Sequence, residues 1–326
     1  MISIKDVAKH AGVSVATVSR VLNNSGYVGQ DTRVKVEKAI KELNYKPNEV
    51  ARSLFKKQSS TIGLIVPDIT NPFFPELARA VEDTAIQLGY NVILCNSDGD
   101  GKKEQNYLDV LQQQYVNGII VSSNTLTATQ IEQLNIPVVS IDRVISKGLP
   151  TIVVENKKGA MMATRFLQSK GCRRIGHIKG NSSVINAEER CEGYMEIVGQ
   201  EPWFDETYIA DGQFDMQSSI QATLELLQRH PDIDGIFAAN DIMAIGAIKA
   251  AYQLGRKVPE DIAIIGFDGI SLSKATTPEL TTIEQPIYEL GEKATKMLVS
   301  FMEQQQSMDQ ANYTILDVTL VEREST

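Results

Sequence analysis

The sequence contains few of the residues on which disulfide frameworks, metal sites and hydrolytic catalysis depend. Its three cysteines stand far apart, at Cys95, Cys172 and Cys191, and form no Cys-x-x-Cys pair, so neither a disulfide scaffold nor a zinc site is indicated. The three histidines are equally scattered, and no Gly-x-Ser-x-Gly, His-Glu-x-x-His, Walker or dinucleotide-binding motif is present. We therefore expect a protein that is not an enzyme and that uses no metal ion or cofactor.

Long apolar stretches are absent as well. The first ten residues carry lysines and an aspartate where a secretory signal needs an unbroken apolar run, and no later run approaches the roughly 18 residues of a membrane span. With 326 residues, 42% of them hydrophobic and 22% charged, the composition is typical of a globular protein of two or three domains. We expect a cytoplasmic location.

The charge is unevenly distributed along the chain. Residues 1–58 hold 11 Lys and Arg against 5 Asp and Glu, which gives a net charge of +6. Because the whole chain has a net charge of −9, the remaining residues carry −15. Phosphate neutralisation by Lys and Arg supplies most of the sequence-independent affinity of a protein for DNA. A basic segment before an acidic body is therefore suggestive of a DNA-binding module, although the overall charge is negative.

The pattern of apolar residues in the basic segment predicts a compact unit of three helices. These helices are predicted over residues 4–11, 15–22 and about 31–43. Ala8, Gly12 and Val18 fall at the offsets of a helix-turn-helix, which needs a small residue at the crossing, a glycine in the turn and an apolar residue in the core. We assign residues 1–48 to this DNA-binding domain.

The second predicted helix carries side chains that suit recognition of the major groove. Val15 and Ala16 can pack on thymine methyl groups, and Thr17 can bond phosphates or bases. Arg20 can bind guanine O6 and N7 together. An ordinary surface turn is the alternative, but the basic charge of the segment favours DNA binding.

Residues 49–60 are predicted to be a hinge helix and linker. Glu49–Phe55 is too short to be a stable free helix, since isolated helices below about 12 to 15 residues are marginal in water. Its Leu54 would suit a helix that forms only against DNA and inserts an apolar wedge into the minor groove. A linker that frays is an equal alternative on chemistry alone.

From Thr61 onward, short apolar strands alternate with amphipathic helices, which predicts an α/β core of parallel sheets over residues 61–326. The strands are predicted at residues 62–66, 92–95, 118–121, 138–141, 152–154, 175–178, 235–239 and 262–267. The pattern restarts at Ile175, so we expect two similar lobes. Ligands of open α/β sheets bind beyond the carboxyl ends of the strands, where polar residues should therefore be sought.

Polar and aromatic residues follow several of these strands. They are Asn71, Phe73 and Phe74; Asp142 and Arg143; Asn240; and Asp268, with Arg190 in a charged stretch further along. Each could be a helix cap, a surface ion pair or, for the phenylalanines, core packing. Their shared position at strand ends in both lobes favours a polar cleft of sugar size, in which aromatic planes stack on a pyranose and polar groups bind its hydroxyls.

The run IKDVAKHAGVSVATVSRVLNNSGYV, followed by TRVKVEKAIKELNYKPNEVARSL, resembles the signature of the LacI family of repressors, and the likeness extends to Leu320–Arg323. The resemblance implies a homodimer on a double-stranded, pseudopalindromic operator, with bases read by Val15, Ala16, Thr17 and Arg20 and with Leu54 intercalated at the centre. It implies a core similar to periplasmic sugar-binding proteins. One lobe would contain residues 61–155 and 288–315, and the other residues 156–287 and 316–326.

The likeness is strongest to the ribose-binding branch of this family. The matching ligand residues are Asn71, Phe73, Phe74, Asp142, Arg143, Arg190, Phe214, Asn240, Asp268 and Gln285. The resemblance therefore implies a transcriptional repressor controlled by a small sugar, with D-ribose as the inducer. Because no leucine-heptad tail follows the core, we expect a dimer and not a tetramer.

Three other functions compete with this interpretation. The first is a global carbon-catabolite regulator of the same family, controlled by a phosphocarrier protein; the ten sugar-site residues favour the ribose repressor over it. The second is a sugar-transport binding protein, which the core alone would permit but the basic helical segment does not. The third is an enzyme on a similar core.

Overall fold

The computed structural model describes residues 2–45, 59–303 and 313–326, and the chain divides into two compact units, residues 1–59 and 60–326. Most of the predicted hinge, residues 49–58 with Leu54 among them, lies outside the described residues.

The first unit consists of three helices, which are α1 (Ile4–Ala11), α2 (Val15–Leu22) and α3 (Gln30–Glu42). Helix α1 ends where Gly12 adopts a left-handed conformation with φ of 66°, which glycine takes without steric cost. Helix α2 begins at once because the Ser14 hydroxyl accepts a hydrogen bond from the Thr17 N–H at 3.1 Å. The three helices enclose a small apolar core formed by Val7, Ala8, Val18, Val21, Val36 and Ala39.

The second unit contains two six-stranded sheets. In chain order the strands are β1 (Thr61–Val66), β2 (Asn91–Asn96), β3 (Gly118–Val121), β4 (Val138–Ile141), β5 (Thr151–Val154), β6 (Ile175–Lys179), β7 (Ile209–Asp211), β8 (Gly235–Ala238), β9 (Ala263–Asp268), β10 (Thr281–Glu284), β11 (Tyr313–Leu316) and β12 (Thr319–Val321). The first sheet has the order β11-β5-β4-β3-β1-β2, and the second has the order β12-β10-β9-β8-β6-β7. All pairings are parallel except that of β10 with the short edge strand β12.

Helices connect the strands and cover the sheets, as parallel sheets require. They are α4 (Phe73–Gln87), α5 (Gly101–Gln113), α6 (Ala128–Glu132), α7 (Asn156–Ser169), α8 (Ile185–Val198), α9 (Met216–Arg229), α10 (Asp241–Gln253) and α11 (Ile287–Met302). The central strands read as nearly continuous apolar runs because both of their faces are buried; every residue of β3 and β4 is buried, for example. None of the helices in the described part of the chain combines the length and apolarity of a membrane span.

The chain passes between the two sheets three times: after β5, after β10 and between β11 and β12. Two of these passages run side by side, since the Glu155 N–H donates to the Leu316 carbonyl at 3.1 Å. The predicted α/β fold of two parallel-sheet lobes after a helical domain is confirmed, with β12 as the one antiparallel strand of the described sheets. The predicted lobe boundaries stay a prediction together with the hinge; β11 of the first sheet ends at Leu316, one residue past the predicted boundary at 315.

Candidate functional site

The carboxyl ends of strands from both sheets surround a cleft of about 640 Å³. All ten sugar-site residues expected from the sequence line it: Asn71, Phe73, Phe74, Asp142, Arg143, Arg190, Phe214, Asn240, Asp268 and Gln285. They come from segments as far apart in the chain as Asn71 and Gln285, so the fold alone brings them together. Their roles as ligands stay a proposal.

The two adjacent phenylalanines begin helix α4 at one wall of the cleft. The Asn71 carboxamide oxygen accepts a hydrogen bond from the Phe73 N–H at 3.1 Å, which sets the entry of the helix. The Phe73 and Phe74 rings meet edge to face with centroids 5.0 Å apart. Both rings pack into the core and both border the cleft, so core packing and a place in the site are compatible here.

Asp142 and Arg143 follow β4 and lie buried on the side of the first sheet. Asp142 has a left-handed backbone with φ of 66°. The Arg143 Nε lies 3.3 Å from the Asp142 carboxylate. Burial lowers the pKa of the Arg143 guanidinium, while the charge of Asp142 opposes this shift. Across the cleft, the Asn186 side chain donates to Asp142 at 2.9 Å, so a hydrogen bond joins the two lobes.

Arg190 occupies the centre of a buried network on helix α8. Its Nη1 donates to the Ala239 carbonyl at 2.6 Å and to Asp268 at 3.1 Å, and its Nε donates to Asn156 at 2.9 Å. The guanidinium carbon stands 3.8 Å from the centre of the Phe267 ring. These contacts fix the guanidinium plane at the cleft wall and leave its remaining N–H groups for a ligand.

Asp268 ends β9 and accepts hydrogen bonds from two neighbours, Arg190 and the Gln285 side chain, the latter at 2.7 Å. Burial raises the pKa of Asp268 to about 6, and the positive charge of Arg190 limits the rise. The Oε1 atom of Gln285 is buried and has no hydrogen-bond partner among the described residues. This oxygen is an unsatisfied buried acceptor beside the cleft.

Phe214 and Asn240 complete the cleft on the side of the second sheet. The Phe214 ring lies directly on Gly180, where an added Cβ would come within 2.2 Å of the ring. Asn240 caps helix α10, because its Oδ1 accepts the Met243 N–H at 2.8 Å, and its amide nitrogen is left for other contacts. Asn240 therefore both caps helix α10 and lines the cleft.

The arrangement can bind a small polyhydroxylated molecule. Carboxylates and carboxamide oxygens accept from hydroxyl groups, guanidinium groups donate to hydroxyl and ring oxygens, and three aromatic rings offer apolar faces. In the described parts of the chain, no group of three or more His, Cys, Asp and Glu side chains is arranged to hold a metal ion.

Asn186 is a cleft residue that the sequence interpretation missed. Only 4% of its surface is exposed, and its Oδ1 has no hydrogen-bond partner among the described residues. It stands in the first turn of α8, four residues before Arg190 and therefore on the same helix face. This spacing is the only signal in the sequence that could have identified it.

The three-helix unit carries the residues expected to read bases. Val15 and Ala16 are exposed at the start of α2, with Val15 40% exposed, and Arg20 is exposed in its last turn. Thr17 is half-buried, and its hydroxyl pairs with that of Ser14 at 2.9 Å. Three of the four residues expected to read bases are therefore exposed on α2, while the predicted wedge Leu54 lies outside the described residues.

Fold and site together define a regulator in which a small helix-turn-helix unit precedes a two-lobed ligand-binding core. Residues 3–48 match the lacI family of bacterial regulatory proteins, and residues 59–322 match the family of periplasmic binding proteins and sugar binding domains of the LacI family. The chain belongs to the LacI family.

Two curated relatives are informative. The chain is 49% identical to the ribose operon repressor of Halalkalibacterium halodurans over 326 residues, which covers 100% of this chain and 97% of that protein. It is 38% identical to catabolite control protein A of Priestia megaterium over 308 residues, with 92% of each chain covered.

Two solved structures are also similar. The lac repressor dimer bound to operator and the anti-inducer ONPF matches with a TM-score of 0.87 and 29% identity, covering 99% of this chain and 98% of that one. A LacI-family transcriptional regulator from Enterococcus faecium with bound ribose matches with a TM-score of 0.74 and 30% identity, covering 82% of this chain and 98% of that one.

Proposed function

We propose that this LacI-family protein is a transcriptional repressor whose affinity for operator DNA is controlled by D-ribose. The observation that carries the proposal is the convergence of all ten expected sugar-site residues on one cleft. The similarity to a ribose operon repressor and to a regulator with bound ribose supports the same sugar. A repressor of this kind acts on DNA in the cytoplasm and needs no catalytic step.

The buried charges of the cleft favour a neutral sugar over a phosphorylated one. The carboxylates of Asp142 and Asp268 are buried within the cleft wall, so a phosphate group would meet like charges in a region of low dielectric. The guanidinium groups of Arg143 and Arg190 are already paired with these carboxylates. Free D-ribose should therefore bind more tightly than ribose 5-phosphate.

On the DNA side, we propose that Val15, Ala16, Thr17 and Arg20 read base edges in the major groove and that Leu54 forms the wedge in the minor groove. A homodimer would place two such units on a twofold operator. The solved lac repressor dimer on its operator, to which this chain is similar, supports this assembly.

Ribose is proposed to act as an inducer. Closing the lobes around a sugar would move the first lobes of a dimer relative to each other, and residues 49–60 lead directly into β1 of those lobes. A segment too short to be helical by itself would then lose its pairing, which would withdraw Leu54 from the operator. By linkage, operator DNA would weaken ribose binding by the same factor.

Control by a phosphocarrier protein is the second candidate, favoured by the similarity to catabolite control protein A. The ribose operon repressor is the more similar relative of the two, at 49% identity against 38%. Ribose is also the simpler effector, because the side chains that would bind it already line one cleft of this chain.

Calorimetric titration of the protein with D-ribose, D-xylose, D-glucose and ribose 5-phosphate tests the proposal. D-ribose should bind most tightly, and Arg190→Ala should abolish detectable binding because it leaves buried polar partners unsatisfied. Arg165→Ala, on an exposed position of α7, is the matched control and should bind as the wild type does. Tighter binding of the phosphorylated sugar, or of a hexose, would overturn the assignment.

A further inference from the structure

The turn that presents Asp268 to the cleft has an unfavourable backbone. The backbone of Asp268 has φ of 109°, a region that residues other than glycine rarely adopt, and Gly269 follows with φ of 76°. Such a conformation persists only where surrounding contacts hold it. On one side it is held by β10, since the Gln285 N–H donates to the Asp268 carbonyl at 3.0 Å. The other side must be held by a different group.

Asp241 supplies that contact from helix α10. Its carboxyl group is completely buried, and its Oδ2 accepts the N–H of Ile270, two residues after Asp268, at 2.9 Å. Its Oδ1 accepts the hydroxyl of Thr282 at 2.6 Å. Gly266 leaves the space for this carboxyl, because an added Cβ there would lie 2.3 Å from Oδ1.

An acidic residue at a helix start has an ordinary explanation, which is to cap the helix and complement its dipole. Here the cap is Asn240, whose side chain accepts from Met243. The hydrogen bonds found for Asp241 run instead to the turn and to β10. Helix capping therefore does not account for this buried carboxyl.

We propose that Asp241 is a positioning residue for sugar binding, which holds the strained 268–270 turn so that the Asp268 carboxylate faces Arg190, Gln285 and the ligand. This inference rests on the proposed function of the cleft as a sugar site. The contact that matters is one acceptor oxygen for the Ile270 N–H. Without it, the backbone at Asp268 relaxes toward negative φ and the carboxylate turns away from the cleft.

Asparagine is the conservative replacement at this position. Burial and the neighbouring Asp268 carboxyl raise the pKa of Asp241 well above its ordinary value. Asparagine has nearly the same shape as this carboxyl side chain; its oxygen can accept from Ile270, and its amide can donate to the Thr282 hydroxyl. Alanine keeps the helix but removes the acceptor.

The test compares D-ribose affinity, by calorimetry, in three variants of the full chain. Asp241→Ala should bind at least tenfold more weakly than the wild type, and Asp241→Asn should stay within threefold. Thr282→Val is the matched control, since it removes a buried hydrogen bond of Asp241 but leaves the bond to Ile270; it should also stay within threefold. Near wild-type affinity in Asp241→Ala, or an equal loss in Thr282→Val, would refute the positioning role.

Hydrogen exchange of the segment 268–272 provides a readout that needs no sugar. Exchange in this segment should be at least tenfold faster in Asp241→Ala and within threefold of wild type in Asp241→Asn; unchanged exchange in Asp241→Ala would overturn the inference. If Asp241→Ala does not fold, Asp241→Ser replaces it with the same expectations, because its shorter side chain does not reach the turn. A wild-type protein that ignores ribose would refute the sugar assignment, while the exchange experiment would still decide the role of Asp241.

Discussion

Acidification from pH 7 to pH 5 should weaken D-ribose binding about tenfold through protonation of a single cleft carboxyl. The pKa of Asp268 is raised to about 6, chiefly by burial. A group with this pKa is about 90% ionised at pH 7 and about 10% ionised at pH 5. The ionised form accepts from Arg190 and Gln285 and, in the proposed complex, would also accept from a sugar hydroxyl, so ribose should select it. Affinity is therefore retained above pH 6 and lost as the pH falls through it.

Calorimetry at pH 7, 6 and 5 and constant ionic strength measures this loss. At pH 6 binding should also release up to about half a proton, seen as a dependence of the heat on the buffer. His177 cannot cause the effect, because burial lowers its pKa to about 3 and keeps it neutral throughout. Asp268→Asn is the control: it should bind more weakly at pH 7 and show no loss down to pH 5. A flat profile in the wild type, or an unchanged decline in the variant, would refute the reasoning.

Three further predictions concern the DNA face, the aromatic wall and the assembly. Arg20→Ala should weaken operator binding by about 1 to 3 kcal/mol, as loss of one bidentate base contact does, with a smaller loss on random DNA; fluorescence anisotropy on both DNAs decides this, and equal losses contradict it. Gly180→Ala should weaken ribose binding about tenfold in calorimetry, because its methyl group would displace the Phe214 ring; unaltered affinity would remove Phe214 from the site. Sedimentation at micromolar concentration should find a dimer, and a stable tetramer would require an interface that the proposal lacks.

Apolar strands with polar residues at their carboxyl ends are the part of the fold that sequence patterns predict well. Strands β3 and β4 were expected with the bounds that the structure has, because both are fully buried four-residue segments in which Ser140 is the one polar side chain. The strands β7, β10, β11 and β12 were not expected. None of these four short segments is a continuous apolar run, and only their pairing in the sheets defines them.

The cleft residues that follow strands were predictable for the same reason, since strand ends of a parallel α/β fold converge at one edge. Phe214 and Gln285 were expected only from the resemblance to the LacI family, and Arg190 lies within helix α8. The contacts among the cleft residues could not be predicted from the sequence. The hydrogen bond from Asn186 to Asp142 joins two lobes, and the support of the Asp268 turn by Asp241 joins a helix start to a strand end. Both depend on distances between segments remote in sequence, which no local pattern encodes.

The central claim is that ribose releases this protein from its operator, and one titration tests it most directly. Operator affinity is measured by fluorescence anisotropy with and without saturating D-ribose, at one fixed salt concentration because phosphate contacts make the affinity salt-dependent. We predict that ribose weakens operator binding at least about fivefold, within the usual range of allosteric coupling, and that Arg190→Ala binds the operator normally but does not respond. Unchanged or tighter operator binding in the presence of ribose would contradict the account.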